Sequence, residues 1–264
     1  MRKCMTVVLS LALCLSLLLP FAGMADALSD IQAEGELVIG TEGTWAPWCY
    51  HDEEDRLVGF DVEVAQGIAA KLGVTAVFAE GEWDGLFAGL NARRYDLICN
   101  GVEISPERAE KYNFTTPYAY MRTAILVRED DDRIASYDDL KGMVTANSLG
   151  STYEALAVSY GAIPQTVDSL DQTISLLIAG RIDATLNAEV SFADYMRVHP
   201  EAPIKVAALT EESTHVSIPV RKEADCDTLL EAVNKALEEM RAEGELSRLS
   251  EKYFGVDVTG EQAQ

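Results

Sequence analysis

One pattern occurs twice in this chain and limits what it can fold into. Leu86, Phe87 and Leu90 form an apolar helical face, followed by a basic turn at Arg93-Arg94, then Asp96, a short buried strand at Leu97-Ile98-Cys99, and Asn100. The segment Leu176–Asn187 repeats that order with Gly180-Arg181 as the turn, then Asp183, a strand at Ala184-Thr185-Leu186, and Asn187. Repetition of one helix–strand unit in each half predicts two similar lobes, each presenting a strand end to a shared cleft, where open α/β sheets bind ligands.

The remaining periodicities agree with an α/β chain. Leu37-Val38-Ile39 reads as a strand, Gly40 to Trp48 as a loop, and Phe60, Val64, Ala65 and Ile68 as one face of a helix that stops at Gly73 before a strand at Val74–Phe78. After Tyr118 the alternation restarts with strands at Ala124–Val127 and Met143–Ala146 and a helix from Ser151. Leu229, Leu230, Val233, Leu237 and Met240, then Leu246, Leu249, Tyr253 and Phe254, mark C-terminal amphipathic packing elements.

The amino terminus predicts export. Arg2-Lys3, an uncharged apolar run from Met5 to Phe21, and Ala25-Asp26-Ala27 have the layout of a signal peptide over 1–27, with cleavage after Ala27. The run is short for a spanning helix, and no small residue precedes Cys4 or Cys14 in the manner of a lipid-anchor site. The formal net charge of −23 disfavours nucleic acid and anionic lipid as partners and fits a soluble exported protein. Asp130-Asp131-Asp132 lacks the alternating ligands of a calcium loop and is expected to be a solvated loop.

Of five cysteines, Cys49, Cys99 and Cys226 would remain after cleavage, an odd number whose pairing the sequence leaves open. His51, His199 and His215 are scattered, and the spacings of zinc sites, nucleophile elbows, phosphate loops and dinucleotide sites do not occur. Neither a metal nor a cofactor is expected.

The stretch after the first Asn100 carries the most chemistry. Ser105 reads as a helix N-cap with Pro106 at the first helical position, which places Arg108 in the first turn beside a strand end. There its guanidinium can grip a carboxylate by two bonds, with free amides nearby.

These features resemble the periplasmic amino-acid-binding proteins of ABC importers, solute-binding protein family 3, over Leu37 to Gly255. The resemblance is carried in order by Gly40-Thr41-Glu42-Gly43-Thr44-Trp45-Ala46-Pro47-Trp48, Leu57-Val58-Gly59-Phe60-Asp61-Val62-Glu63, Glu82-Trp83-Asp84-Gly85-Leu86, Ile104-Ser105-Pro106-Glu107-Arg108, Phe114-Thr115-Thr116-Pro117-Tyr118, Leu149-Gly150-Ser151-Thr152, Gly180-Arg181-Ile182-Asp183-Ala184 and Glu251-Lys252-Tyr253-Phe254-Gly255. It implies a two-lobed periplasmic-binding-protein fold of type II with a ligand cleft between the lobes. The lobes would be 28–119 with 215–264 and, inserted, 120–214, joined by hinge strands near Tyr118–Arg122 and Thr214–Ser217.

The resemblance also implies a site. Arg108 would hold a ligand α-carboxylate from the first lobe, and the amides of Ser151 and Thr152, with Ser148 before them, from the second. Trp45 and Trp83 would sandwich the ligand side chain. Asn100 and the Gly101 carbonyl would surround its ammonium and side chain. The family's ammonium-binding Asp is replaced here by Ala188, so Glu103, then Glu189, then Glu42 are the candidate counter-charges. Glu82-Trp83-Asp84-Gly85-Leu86, Glu110-Lys111-Tyr112-Asn113-Phe114 and Ala184-Thr185-Leu186-Asn187 look most like the cystine- and cysteine-binding branch. The implied partners are a free polar amino acid and the membrane permease of an importer, met by a monomeric, non-enzymatic periplasmic protein. The alternative is a secreted cyclohexadienyl or arogenate dehydratase on the same fold, with Glu189 as general acid.

Overall fold

A computed structural model of the chain describes residues 26–261. Most of the expected signal peptide, residues 1–25, lies outside the described residues. Asp26 and Ala27 lie within them: Ala27 opens helix α1 (Ala27–Glu34), and the Asp26 carboxylate accepts a hydrogen bond from the Thr228 hydroxyl.

The first lobe continues with β1 (Glu36–Thr41), β2 (Thr44–Trp45), β3 (Cys49–His51), β4 (Leu57–Val58), α2 (Phe60–Leu72), β5 (Thr75–Glu80) and α3 (Trp83–Asn91). It then adds β6 (Leu97–Ile98), α4 (Pro106–Lys111) and β7 (Tyr112–Phe114). The chain leaves through β8 (Ala119–Met121) into β9 (Thr123–Arg128), β10 (Val144–Asn147), α5 (Thr152–Ser159), β11 (Ile163–Thr166) and α6 (Leu170–Ile178). After β12 (Thr185–Ala188), α7 (Glu189–Val198) and β13 (Ile204–Leu209), it returns through β14 (Thr214–Val216) to β15 (Pro219–Arg221), α8 (Asp227–Ala242) and α9 (Glu245–Phe254).

The two lobes share one plan. In the first, β1 lies between β5 and β6 and runs parallel to both, and β15 and β7 extend the sheet. In the second, β10 runs parallel to β11 and meets the start of β12 through a parallel bridge from Thr145 to Ala184. Strands β9 and β13 continue that side in antiparallel order. Two strands cross between the lobes, β8 and β14, paired antiparallel from Ala119–Val216 to Met121–Thr214.

The repeated sequence unit has one local explanation in both lobes. The turns reverse through left-handed residues, Arg93 at φ 56° and Gly180 at φ 66°. Each is followed three residues later by an aspartate whose Oδ2 accepts the backbone N–H of the neighbouring strand at 2.9 Å, Asp96 from Val38 and Asp183 from Val144. In each lobe that donor lies one residue ahead of the point where parallel pairing begins, at Ile39 with Leu97 and at Thr145 with Ala184, and the carboxylate supplies the partner that the ladder does not yet provide.

Helix α2 buries Phe60, Val64, Ala65 and Ile68 and ends at Gly73, whose φ of 76° lets its N–H reach the carbonyls of Ala69 and Ala70. Its neighbour α8 buries Leu229, Val233, Leu237 and Met240. Two local expectations differ from the structure. The segment from Thr44 is no open loop: β2, β3 and β4 form a small antiparallel meander over the sheet end. Asp131 is buried rather than solvated, because Arg128 at 2.9 Å and Arg133 at 2.6 Å converge on its carboxylate and hold its pKa down at about 2.

Candidate ligand-binding site

A cleft of about 580 Å³, mouth included, lies between the lobes. Its walls follow from the shared plan, since nearly all of them come from the carboxyl ends of the three parallel strands in each lobe. After β1 come Glu42, Thr44 and Trp45, after β5 Trp83, and after β6 Gly101, Glu103 and Arg108. Across the cleft, β10 ends in Asn147 and leads to Ser148, Ser151, Thr152 and Tyr153. Ser169, Leu170 and Thr173 follow β11, and Asn187 lies in β12. Side chains at these ends converge because all six strands point the same way relative to the interlobe space.

Arg108 is placed by its cap. Ser105 Oγ accepts the Arg108 N–H at 3.2 Å, Pro106 occupies the first helical position, and Arg108 emerges half-buried. Its guanidinium lies 5.1 Å from the Trp83 ring centre and 5.3 Å from that of Phe87. Nη1 donates to the Glu103 carbonyl at 2.9 Å, and Nη2 crosses the cleft to the Gly150 carbonyl at 3.1 Å. Arg108 forms no ion pair within 4 Å among the described residues; burial pushes its pKa down, and the Glu103 carboxylate is the largest of the charges that oppose that push. Carbonyls and aromatic faces thus orient the group and leave its charge to be met by an anion. Opposite it, Ser151 caps α5 by accepting the Glu154 N–H at 3.1 Å, which leaves the earlier amides of the helix for the cleft.

Two carboxylates border the same space. Glu103 is buried; Thr214 Oγ1 donates to it at 3.0 Å, and burial raises its pKa against the opposing pull of Thr152, Thr214 and Arg108. Glu42 is pushed up to about 7 by burial, with Asn100 lowering it and Glu82 raising it. Asn100 does not line the cleft. It is fully buried behind it, donating from Nδ2 to Glu42 at 2.6 Å while its Oδ1 accepts from the Glu42 N–H at 2.7 Å and the Thr41 hydroxyl at 3.0 Å. It positions Glu42 instead of meeting a ligand.

Glu189 also stands outside the cleft. Arg122 holds it at 2.9 Å, so it is already paired and is not available as a counter-charge or as a general acid in the cleft. A two-residue step past Asn187 in a strand-to-helix junction was enough to turn it away, and no signal in the sequence fixes that turn.

Gly101 forms the floor. At φ 55° it adopts a conformation that favours glycine, and a Cβ there would fall 2.5 Å from the Trp45 ring. Its N–H donates to the Asp61 carboxylate, which also accepts from the Tyr118 hydroxyl at 2.7 Å. Asp61 is fully buried, and that burial lifts its pKa to about 7 against both hydrogen bonds. Trp45 stacks on Trp48 at 5.3 Å. Sequence reasoning named Arg108, Ser151, Thr152, Ser148, Trp45, Trp83, Gly101, Glu103 and Glu42, all of which line the cleft, and missed Thr44, Asn147, Tyr153, Ser169, Leu170, Thr173 and Asn187. Asn187 could have been found from the repeat, where it is the partner of Asn100.

A two-lobed α/β fold with a polar interlobe cleft defines a class of ligand-binding receptors, and comparison places the chain within it. The chain belongs to the bacterial extracellular solute-binding proteins, family 3, whose model matches residues 37–256. It is 38% identical to a probable amino-acid ABC transporter-binding protein of Haemophilus influenzae over 90% of this chain and 92% of that one. It is 37% identical to the L-cystine-binding protein TcyA of Bacillus subtilis over 89% and 87% of the two chains. A solved ancestral arginine-binding protein bound to arginine is 36% identical and superposes with a TM-score of 0.78, covering 84% of this chain and 99% of its own. The chain is therefore an amino-acid-binding protein of the ABC-importer type.

Proposed function

We propose that the protein captures a free polar amino acid outside the cytoplasm, cystine or cysteine first, by closing its lobes, and hands it to the permease of an ABC importer. The observation that carries this reading is Arg108, a cation oriented by carbonyls and two aromatic rings, facing the amino end of α5 across the cleft. In this reading Arg108 and the Ser151 and Thr152 amides hold the α-carboxylate. Glu103 and the Gly101 carbonyl hold the ammonium, and Trp45 and Trp83 flank the side chain. The likeness to TcyA supports cystine. Residues 1–27 serve as the export signal, and the protein acts as a monomer.

The chemistry is capture without bond breaking. Desolvating a zwitterion is costly, and the cleft offsets that cost by meeting each charge with an opposite one already held in place. Calorimetric titration of the purified protein with cystine, cysteine, glutamine and arginine tests the reading. Micromolar or tighter binding of cystine or cysteine is the expected result, and binding of none of the four overturns it. A dehydratase built on Glu189 would need that carboxylate in the cleft, whereas Arg122 holds it outside; absence of phenylpyruvate on incubation with prephenate is the matching outcome.

A further inference from the structure

Among the described residues, five buried side-chain nitrogen or oxygen atoms have no hydrogen-bond partner, and three of them belong to residues of this one cleft: Trp45 Nε1, Asn147 Oδ1 and Tyr153 Oη. All three side chains are at least nine-tenths buried. A buried donor or acceptor without a partner carries its whole desolvation cost, so native structures rarely leave such groups unmatched in their working state. Their clustering therefore says what the cleft is shaped to meet.

Their polarity is fixed by their surroundings. Asn147 Nδ2 donates to the Leu186 carbonyl at 2.7 Å, which sets the amide's orientation and leaves Oδ1 as an acceptor. Trp45 Nε1–H can only donate, and its ring is held by the stack on Trp48 and the contact with Gly101. Tyr153 lies at the start of α5 next to Thr152 and lines the cleft; burial first, and then the neighbouring Glu103 carboxylate, push its pKa well up, which puts its hydroxyl with the groups assigned to the ligand's head. Once Arg108, the α5 amides, Glu103, the Gly101 carbonyl and Tyr153 are given to the carboxylate and ammonium, one unpartnered buried donor, on Trp45, and one unpartnered buried acceptor, on Asn147, remain in the cleft wall.

We propose that Trp45 Nε1 and Asn147 Oδ1 select the ligand's side chain, and that this side chain bears both a hydrogen-bond acceptor and a hydrogen-bond donor. A second amino-acid head group and a terminal carboxamide have that chemistry. A guanidinium or an ammonium only donates and leaves the indole N–H unmatched, and an aliphatic chain leaves both unmatched. A site with buried polar groups rejects the analogue that cannot pair with them far more strongly than a greasy pocket rejects a change of size. The inference rests on the amino-acid reading of the cleft and narrows it to a bifunctional side chain.

The test is calorimetric titration of the full mature chain with cystine, glutamine, arginine, lysine and leucine, repeated for Trp45→Phe and Asn147→Leu with thermal melting as a fold control. The parent should bind cystine or glutamine more tightly than arginine, lysine or leucine, and the better of the two separates the second head group from the carboxamide. Trp45→Phe keeps an aromatic wall and should weaken that ligand about tenfold while changing arginine and lysine less than twofold. Asn147→Leu should weaken every ligand whose side chain donates and spare leucine. If Asn147→Leu does not fold, the Trp45→Phe series decides alone. Tightest binding of arginine, lysine or leucine by the parent, or an equal loss for all ligands in Trp45→Phe, overturns the inference while leaving amino-acid capture standing. Binding of none of the five removes both.

Discussion

The indole Nε1 of Trp48, buried in the first lobe, donates a 3.1 Å hydrogen bond to Ser191 Oγ on the first turn of α7 in the second. The bond from Arg108 to the Gly150 carbonyl is a second tie between the lobes that β8 and β14 connect. Both contacts form only when the lobes are together.

Closure should therefore be measurable. Small-angle scattering of the purified chain should give a smaller radius of gyration at saturating ligand than without it, and Ser191→Ala should lower affinity modestly, by roughly 1 kcal/mol, through loss of one latch contact. An unchanged radius at saturation would refute lobe movement as the binding step.

Arg108→Ala should abolish amino-acid binding at a cost of about 2–5 kcal/mol, the range for truncating one partner of a buried charged pair. Arg108→Lys should recover only part, since an ammonium cannot reproduce the two-pronged geometry or the stacking on Trp83 and Phe87. Melting temperatures near the parent's would show that the loss is in the site. Equal calorimetric affinity in parent and Arg108→Ala would remove the assignment of the carboxylate.

Three carboxylate substitutions order the counter-charges. Glu103→Gln and Glu42→Gln should each weaken binding, because both line the cleft and a neutral amide cannot offset a desolvated ammonium. Glu189→Gln should leave affinity unchanged, its role being the ion pair with Arg122. A large loss in Glu189→Gln alone would move the ammonium to the second lobe.

Asp61 gives the fold a pH dependence of defined sign. Its carboxyl is raised from 3.8 to about 7 in the folded chain. Below the unfolded value both states hold the proton; between roughly pH 4 and 7 the unfolded chain releases it and the folded chain keeps it. The stability this group contributes is therefore full at acid pH and falls as pH rises, by roughly 4 kcal/mol across the window. Urea unfolding at several pH values should show Asp61→Asn with a flatter decline than the parent, and identical slopes would contradict the shift.

Much of the scaffold was legible because its signals are local. The repeat around Asp96 and Asp183 announces itself through a turn, a carboxylate and the strand that follows, all within a few residues, although the N–H that each carboxylate accepts, Val38 or Val144, lies far upstream in the chain. The Ser105-Pro106 cap that aims Arg108 is equally local. The side chains of Asn147 and Tyr153 gave no such signal, since whether a polar group finds a partner depends on which segments surround it after folding. Asn100 and Glu189 show the same limit from the other side: each is chemically suited to a ligand, and each is turned to a neighbour, Glu42 or Arg122, that lies far off in sequence. Asp131 looked like one of a solvated triplet until two arginines closed on it.

The three described cysteines, Cys49, Cys99 and Cys226, are all free and buried, and Cys49 touches Asn100 directly behind the cleft wall. Burial pushes the Cys49 thiol up to about 12, so near neutral pH it stays a thiol and not the nucleophilic thiolate. A receptor for a disulfide carries a hazard that other amino-acid receptors do not, because any reactive thiol within reach would open the cargo and keep half of it as a mixed disulfide. Sealing sulfur away from the cleft makes the protein chemically inert toward the molecule proposed to occupy it, so that each capture can end in release of an intact ligand.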